Sequence, residues 1–471
     1  MSARFPDGPA NFNAPFGLTW RHYWKLRSNP IEFATNLSRT YGDLVFFRIF
    51  WHRAYLVNHP DMIRQVLVAE AKNFPKCSKI QKHLRQITGN GLLVTEGETW
   101  RKQRLSTQQI FRSSRMDAFA TIATKHTGRM LQRWSKIRDV QIEHEMTLLT
   151  QAIMGEAFFG QPLGFDDEIA EAVRVLSDVF HDQSRALFNL PDWFPTSYLR
   201  EKKRSKKLLY SALEEVIQRR LASGDRRDDF LDMLLHSAPN QPCHHSHPDS
   251  ANITDIMSQL LTMYVAGFHT TSVALAWLMF AVARHPKTQQ RVRDEVQRVC
   301  GNSPPQAEHL NELQFAQMVV KESLRMYPAS WELFARRSIN ESQLGGHTIP
   351  ANSLVLIQPI VTHRDARFFP EPNKFDPLRF SKSREHEIPP FAWIPFGAGP
   401  HHCLGKSLAL IQMSQILASI VQSFELKLDD KNAKHIRMVP KVSLRPATDI
   451  RVLIRPVSFA PSPTANLGSA F

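Results

Sequence analysis

A lone cysteine stands among glycines in the segment Phe396-Gly-Ala-Gly-Pro-His-His-Cys-Leu-Gly405, directly before an apolar run that predicts a helix. Glycines permit a tight turn and a close approach of the backbone, and free N–H groups at a helix start point towards the sulfur of Cys403. Both effects favour the thiolate, which is the form that binds a metal. From this segment alone, a buried structural cysteine beside a glycine-rich turn explains the pattern equally well.

Two further segments combine polar side chains at helical spacing. Glu322 and Arg325 are three residues apart, so they share one face of a predicted helix, although such pairs are common on solvated surfaces. In Ala266-Gly-Phe-His-Thr-Thr271, the hydroxyl of Thr270 can bond the carbonyl of Ala266 and locally open the helix. Neither segment identifies an activity when it is considered alone.

Together these segments resemble the cytochrome P-450 family. Its haem-binding signature, FxxGxxxCxG, is matched by Phe396, Gly399, Cys403 and Gly405. The resemblance implies haem b as the cofactor, with Cys403 as the axial ligand of the iron. Relatives often have an arginine two residues before the cysteine. This chain has His401 there, for which the resemblance implies a contact with a haem propionate.

Two other segments match propionate-binding positions of the same family. Trp100 and Arg104 match the motif WxxxR, which lies on a helix that crosses the haem edge. Arg336 matches a second propionate contact. For each arginine, the competing interpretation is a routine surface side chain.

In the family, the pair matched by Glu322 and Arg325 is buried and is joined by an arginine from a later loop. The matching loop is Phe375-Asp-Pro-Leu-Arg-Phe380, so Arg379 is the third member. A carboxylate between two guanidinium groups leaves neither kind of charge unpaired. The resemblance therefore implies a structural triad that holds the haem loop and takes no part in chemistry.

The segment around Thr270 resembles the oxygen-binding part of the family's long central helix, [AG]GxxT[TS]. The resemblance implies that Ala266 and Gly267 line the haem site, and that Thr270 donates a hydrogen bond to the distal oxygen. The residue before the threonine is usually an acid, and here it is His269. His269 either relays protons, titrating near neutral pH, or turns away and bonds backbone or water.

The resemblance implies a mainly α fold with a minor β region, in which the haem is buried between the central helix and the helix after Cys403. It also implies a monooxygenase that inserts one oxygen atom of O2 into a hydrophobic small molecule, by hydroxylation or epoxidation. The substrate classes considered are fatty acids, terpenoids, and polyketides or other secondary metabolites. The alternatives are isomerisation or oxidative coupling by the same kind of enzyme, and a non-catalytic haem-thiolate sensor.

The elements that position these groups are mostly helical. The long apolar run Ile256–Ala283 predicts a buried helix rather than a membrane span, because the polar residues 269–272 would stand at its centre in lipid. Leu44–Phe50 and Ala54–Val57 are short, β-rich runs that predict a hairpin.

Composition places the chain among ordinary globular proteins, with 42% hydrophobic and 22% charged residues. We expect one domain over residues 1–471, with a frayed segment at about residues 1–15 and a flexible tail at about residues 457–471. The four cysteines are scattered, and no signal or anchor segment is evident near the start. A cytoplasmic monomer without a transmembrane anchor is the expectation.

The net charge of +15 favours acidic partners. No segment for a flavin or an iron–sulfur group is evident, so electrons are expected from NAD(P)H through separate redox proteins. The resemblance implies an acidic ferredoxin or flavodoxin, with its reductase, that docks near the cysteine loop at Arg101, Lys102 and Lys406. No nucleic-acid motif is found, so no nucleic acid is expected as a partner.

The resemblance also implies an apolar substrate chamber. Glu332 is an unusual charged residue among these apolar segments. It either contacts a polar group of the substrate or belongs to a hydrogen-bond network with the protein backbone. Separately, Cys243, His244, His245 and His247 could bind zinc or nickel, but a surface loop is the favoured interpretation. The segments matched to the chamber are Phe74–Leu93, Phe180–Phe194, Met263–Phe268, Ala329–Phe334 and Val442–Leu444.

Overall fold

The computed structural model describes residues 6–9, 25, 27–49, 52–164, 166–186, 189–236, 250–429 and 436–457. Its α-helices are α1 (Pro30–Tyr41), α2 (Pro60–Arg64), α3 (Ser78–Thr88), α4 (Gly97–Thr107), α5 (Met116–Trp134), α6 (Ile142–Phe159), α7 (Asp166–Arg185), α8 (Ser197–Ser223), α9 (Phe230–His236), α10 (Ser250–Arg284), α11 (Pro286–Cys300), α12 (Gln314–Met326), α13 (Pro359–Thr362) and α14 (Lys406–Ser423). Its strands are β1 (Leu44–Ile49), β2 (His52–Val57), β3 (Asp139–Gln141), β4 (Arg336–Arg337), β5 (Ser342–Leu344), β6 (His347–Ile349), β7 (Leu354–Leu356), β8 (Phe424–Leu428), β9 (Met438–Pro440), β10 (Leu444–Pro446) and β11 (Arg451–Pro456).

The described strands form small sheets beside a much larger set of helices. The largest sheet has the order β1-β2-β7-β4, in which β2 and β7 are parallel and the other neighbours are antiparallel. A second sheet has the order β3-β11-β8, and the pairs β5–β6 and β9–β10 are antiparallel hairpins. The fold is therefore mainly α with a minor β component, as predicted, and β1 with β2 confirms the predicted hairpin.

Helix α10 runs through the centre of the hydrophobic core. Its first half, from Ile256 to Phe268, packs in one cluster with α6, α7 and α8. Its second half, from Val273 to Ala283, packs in another cluster with α5, α12 and α14. By length and composition the helix could cross a membrane, but 67% of its most apolar window is buried inside the protein. It is the buried helix that the sequence predicts, and its polar residues 269–272 lie where the two clusters meet.

The boundaries of the site helices follow from local residue types. Helix α14 follows the cysteine loop, as predicted, and begins at Lys406, directly after its N-cap Gly405. Helix α10 begins at Ser250, before the apolar run that predicts it. The Cys243–His247 cluster and most of the two terminal segments predicted to be frayed or flexible lie outside the described residues.

Candidate active site around Cys403

The cysteine loop is held in a conformation that requires glycine. Gly397 and Gly399 have φ angles of 67° and 69°, in the left-handed region that glycine adopts without strain. A Cβ atom on Gly399 would lie 1.8 Å from the carbonyl oxygen of Leu67, so a side chain there is sterically excluded. The backbone N–H of Cys403 donates to the carbonyl of Phe396 over 2.9 Å, which closes the loop on itself. These contacts fix the position of the thiol at the start of α14.

The thiol of Cys403 faces an internal surface. The residue has accessible surface, yet burial raises the pKa of its thiol, so protein rather than bulk solvent surrounds the sulfur. The backbone N–H of Gly405 lowers that pKa, which is the direction predicted for the helix-start N–H groups, and the charge of Arg104 lowers it too, but burial has the larger effect. A metal ion bound to the sulfur would favour the deprotonated form further.

Helix α4 presents an aromatic and cationic surface to this loop. The indole of Trp100 contacts the imidazole of His401, with ring centroids 4.2 Å apart. The Arg104 guanidinium donates to the carbonyl of His402 over 3.1 Å and lies 5.5 Å from the Trp100 ring. The structure therefore brings Trp100, Arg104 and His401 together beside Cys403, as their motif positions predict.

Arg336 joins this group together with two residues that the motifs do not include. The His401 Nε2 atom lies 3.3 Å from a carboxylate oxygen of Glu96, and the ammonium of Lys76 lies 3.8 Å from the other oxygen. Lys76 pairs with Arg336 in an isolated β-bridge. The Arg336 side chain is buried, and its Nε atom has no hydrogen-bond partner. Burial lowers the pKa of Lys76 to about 8, with Arg336 and Arg104 adding to the effect.

The predicted triad is present and its groups are extensively hydrogen-bonded. Glu322 and Arg325 are fully buried and form two hydrogen bonds of 2.7 and 2.9 Å. The Nε atom of Arg379 donates to the same carboxylate over 3.1 Å, and so does the backbone N–H of Asp376 over 2.9 Å. The guanidinium groups also donate to loop carbonyls, including those of His363, Pro372, Lys374 and Pro370.

His363 links this triad to the loop that leads to the cysteine. The backbone N–H of Ile394 donates to His363 Nε2 over 2.9 Å, so the proton lies on Nδ1, which is 3.2 Å from the carbonyl of Arg325. Burial, together with the charge of Arg325, lowers the pKa of His363 to about 3, which keeps the ring neutral. No periodic pattern or motif indicates this residue, because its partners are distant in the chain.

Helix α10 provides the polar groups on the other side of the core. The Thr270 hydroxyl donates to the carbonyl of Ala266 over 2.6 Å, as predicted. The helix nevertheless runs without a break, so the predicted local opening is not present. A Cβ atom on Gly267 would lie 2.5 Å from the terminal methyl of Met154 on α6. The missing side chain of Gly267 therefore gives room to Met154.

His269 is enclosed and neutral. Its Nε2 atom has no hydrogen-bond partner among the described residues. Burial, with a further contribution from Arg445, lowers the pKa of His269 to about 3. Of the two alternatives for His269, titration near neutral pH is contradicted, because among the described residues no carboxylate offsets the cost of burying a charged ring.

Arg445 connects the surroundings of His269 to acidic residues. Its guanidinium lies 3.5 Å from the carboxylate of Asp178. Burial raises the pKa of Glu143 to about 7, Asp449 adds to the rise, and Arg445 opposes it. These acids come from α6, from α7 and from the segment between β10 and β11, so no spacing within the α10 sequence could have indicated them.

Known proteins resemble the chain over nearly its whole length. The model of the cytochrome P450 family matches residues 7–454. Cyclooctat-9-en-7-ol 5-monooxygenase from Streptomyces melanosporofaciens is 31% identical over 446 residues, covering 91% of this chain and 94% of the relative. Cyclooctatin synthase from the same species is 28% identical over 456 residues, covering 96% and 95%. Pentalenene oxygenase from Streptomyces avermitilis is 26% identical over 414 residues, covering 87% and 89%.

The chain belongs to the cytochrome P450 family.

This cytochrome P450 is a monooxygenase with the fold of its family, and membership implies a haem cofactor, O2, an organic substrate and redox partners. The residues around Cys403 fit a haem. Protein surrounds the thiol closely enough that burial raises its pKa, and the buried Arg336 lacks a partner for Nε beside Arg104 and His401, which is the donor set that two propionates require. Among the described residues, no group of three His, Cys, Asp or Glu side chains could hold a separate metal ion.

Glu332 belongs to a protein network in this cytochrome P450. One carboxylate oxygen lies 2.8 Å from the guanidinium of Arg185, and the other accepts a hydrogen bond of 3.1 Å from Gln358. Of the two alternatives that the sequence leaves open, the structure shows the network.

Proposed function

We propose that this enzyme binds haem b with Cys403 as the axial ligand of the iron. Support comes from the fixed loop, the inward-facing thiol and the donor set formed by Trp100, Arg104, Arg336 and His401, which would hold the propionates. When bound, the haem would supply the oxygen-activating chemistry, which a thiolate ligand promotes by donating electron density. Phe396, Gly399 and Gly405 would shape the loop against the cofactor.

Residues of the chain itself would transfer protons and hold the haem loop in position. The Thr270 hydroxyl is held by the Ala266 carbonyl and has its lone pairs free to accept a proton-carrying partner. His269 would act as a neutral hydrogen-bond relay through Nε2, not as an acid. The triad of Glu322, Arg325 and Arg379 would hold the haem loop without taking part in the reaction.

The substrate in this proposal is a hydrophobic small molecule of the terpenoid class, which is hydroxylated or epoxidised. Support comes from two relatives whose names specify a cyclic alkenol and pentalenene, and whose alignments span most of both chains. The proposal favours this class over fatty acids and polyketides. Incorporation of labelled O2 into the product of a candidate alkene, measured by mass spectrometry, would separate oxygenation from isomerisation or coupling.

Electrons would come from NAD(P)H through a reductase and an acidic ferredoxin or flavodoxin. Arg101, Lys102 and Lys406 are exposed, and Arg101 and Lys102 are on α4, whose Trp100 and Arg104 contact the cysteine loop. Leu105 on the same helix is 52% exposed, so the surface combines positive charge with an apolar contact point. Such a surface suits transient docking of an acidic protein.

The chain would work as a single-domain monomer in the cytoplasm, without a nucleic-acid partner. The family match from residue 7 to residue 454 supports one domain. The mostly buried state of α10 supports the absence of an anchor within that helix.

The ligand assignment carries the proposal and is directly testable. Cys403→Ser should abolish the strongly red-shifted Soret band of the ferrous–CO complex that haem-thiolate proteins show, because serine is a poor soft donor. Cys300→Ser is the matched control, since that buried thiol lies on α11. A variant with Cys403→Ser that kept the band would show that another residue is the ligand.

A further inference from the structure

A cleft of about 520 Å³ opens between the end of α7, the β9–β10 hairpin and the segment before α1. This volume lies within the range of small-molecule binding sites. Cationic side chains dominate its lining: those of Arg27, Arg185, Arg437 and Lys441, against the single carboxylate of Asp182. The cleft is separate from the cysteine loop and from the exposed cations of α4.

The positive charge of the cleft is only partly neutralised. Lys441 lies 3.4 Å from Asp182, and Arg185 lies 2.8 Å from Glu332. The side chain of Arg437 is exposed, and no carboxylate of the described residues forms an ion pair with it. The cleft therefore keeps an excess of positive charge, and its guanidinium groups present the planar donors that suit carboxylate and phosphate oxygens.

His181 shows how the cationic groups converge on this space. Burial lowers its pKa to about 3, and Arg185, Lys441, Arg445 and Arg27 lower it further. The ring is therefore neutral under physiological conditions, so it can accept or donate a hydrogen bond within the cleft.

The lining is tied to segments that match substrate regions of the family. The guanidinium of Arg185 lies 5.2 Å from the centre of the Trp331 ring. The indole N–H of Trp331 donates over 2.8 Å to the carbonyl of Lys441, whose side chain lines the cleft. Two residues that line the cleft, Arg185 and Lys441, therefore contact Trp331 of the 329–334 segment.

We infer that this cleft binds the anionic head group, a carboxylate or a phosphate, of an otherwise apolar substrate on its way to the chamber. The inference rests on the proposed function, because it adds a charged head to the substrate of that same site. Arg437 is the residue that tests this inference most directly, since no described residue forms an ion pair with its exposed guanidinium, which a ligand could therefore contact without breaking one.

The test uses the haem-loaded enzyme and two probes of equal chain length, dodecanoate and dodecan-1-ol, in isothermal titration calorimetry. Wild-type enzyme should prefer the acid, and Arg437→Glu should weaken binding of the acid by roughly tenfold while leaving the alcohol unchanged. Arg298→Glu, an equal charge change at an exposed position of α11, should leave both affinities unchanged. Inorganic phosphate should compete with dodecanoate and not with the alcohol.

Three outcomes would overturn the inference. Equal loss of affinity for both probes in Arg437→Glu would mean that the cleft does not distinguish a charged head group from a neutral one. Phosphate that binds as tightly as dodecanoate would mean that the apolar chain plays no part. Arg437-dependent binding to phosphatidylglycerol vesicles, without a preference for dodecanoate, would assign the cleft to a membrane surface. The ferrous–CO band, recorded on the same samples, tests the proposed haem ligation independently.

Discussion

The two sides of the site differ in how completely the protein satisfies its own polar groups. On the cysteine side, the Glu322 carboxylate is buried between Arg325 and Arg379, and each of these groups forms several hydrogen bonds. On the side of α10, the buried His269 Nε2 atom has no partner, and the same is true of one guanidinium nitrogen of Arg445. Buried polar groups without partners are costly, so they persist where function selects them.

This difference indicates that the two sides have different roles in the reaction. The triad on the cysteine side is rigid because its carboxylate and its guanidinium groups neutralise one another, which suits a group that must hold a ligand in one place. On the α10 side, the His269 Nε2 atom and one Arg445 nitrogen have no hydrogen-bond partner among the described residues, so they are available to take part in proton transfer. Substitutions on the first side should therefore affect folding, whereas those on the second should affect the course of the reaction.

Breaking the triad should produce the largest effect. Glu322→Gln would leave two buried guanidinium groups without a counter-charge, and removal of one partner of such a group costs about 3–5 kcal/mol of unfolding free energy. Urea unfolding monitored by circular dichroism measures the loss. Glu312→Gln, at an exposed position just before α12, is the matched control and should be nearly neutral. A stable Glu322→Gln variant would remove the contrast between the two sides.

Thr270→Ala should leave stability almost unchanged and raise the fraction of NADPH consumed without product. Loss of a positioned proton-transfer group typically costs about 100- to 10,000-fold in a catalysed step, so product formation should fall by at least tenfold. Thr270→Ser keeps the hydroxyl and should retain coupling. The measurement is the ratio of product and peroxide to NADPH consumed. Tight coupling in the alanine variant would show that Thr270 only caps the Ala266 carbonyl.

His269→Ala should raise uncoupled peroxide severalfold, and coupling should not change between pH 6 and 8 in the wild-type enzyme. Because burial lowers the pKa of His269 to about 3, the ring is already neutral throughout that range. The depressed pKa destabilises the folded state only as pH falls from about 6.5 towards 3, where the unfolded chain binds the proton first.

His269→Gln is the matched control for that variant, because glutamine hydrogen-bonds without titrating and should restore coupling. An inflection near pH 6.5 that disappears in His269→Gln would contradict the neutral relay. Unchanged coupling in His269→Ala would mean that the ring only packs.

The smallest effect is expected at the docking surface, which lies on the cysteine side but outside the rigid part. Lys102→Glu should slow reduction by an acidic ferredoxin about two- to fivefold at low ionic strength, because exposed charges contribute about 1 kcal/mol or less. The difference should vanish in high salt, where charges are screened. Lys287→Glu on α11 should have no effect. If stopped-flow reduction rates change neither with salt concentration nor with Lys102→Glu, the ferredoxin does not dock on this surface.

Sequence reasoning located the cysteine side well because its chemistry follows the chain. The loop glycines, the Glu322–Arg325 pair and Arg379 lie in short segments with fixed spacing, and the structure brings them together as predicted. Helix α10 was predictable for the same reason, since its apolar run is long and only residues 269–272 at its centre are polar.

What remained hidden depends on contacts between distant segments. Glu96 contacts His401, and Lys76, which forms a β-bridge with Arg336, contacts Glu96. His363 forms hydrogen bonds with backbone groups of other segments. The pKa of His269 was mispredicted because it is set by burial under neighbouring elements, and no residue within α10 reveals how completely they cover it. Single polar residues with long-range partners leave no periodic signal.

The meeting of two hydrophobic clusters on one helix has a consequence for how the molecule opens. The cluster around α7 and α8 and the cluster around α12 each bury their own apolar surface, and α10 is the longest of the helices that contribute to both, beside α5, α6 and α14. In terms of local unfolding, we expect two cooperative units that share these helices, with residues 269–272 as their boundary along α10. The unit with α7 and α8 can then loosen to admit a ligand while the other keeps the cysteine in place.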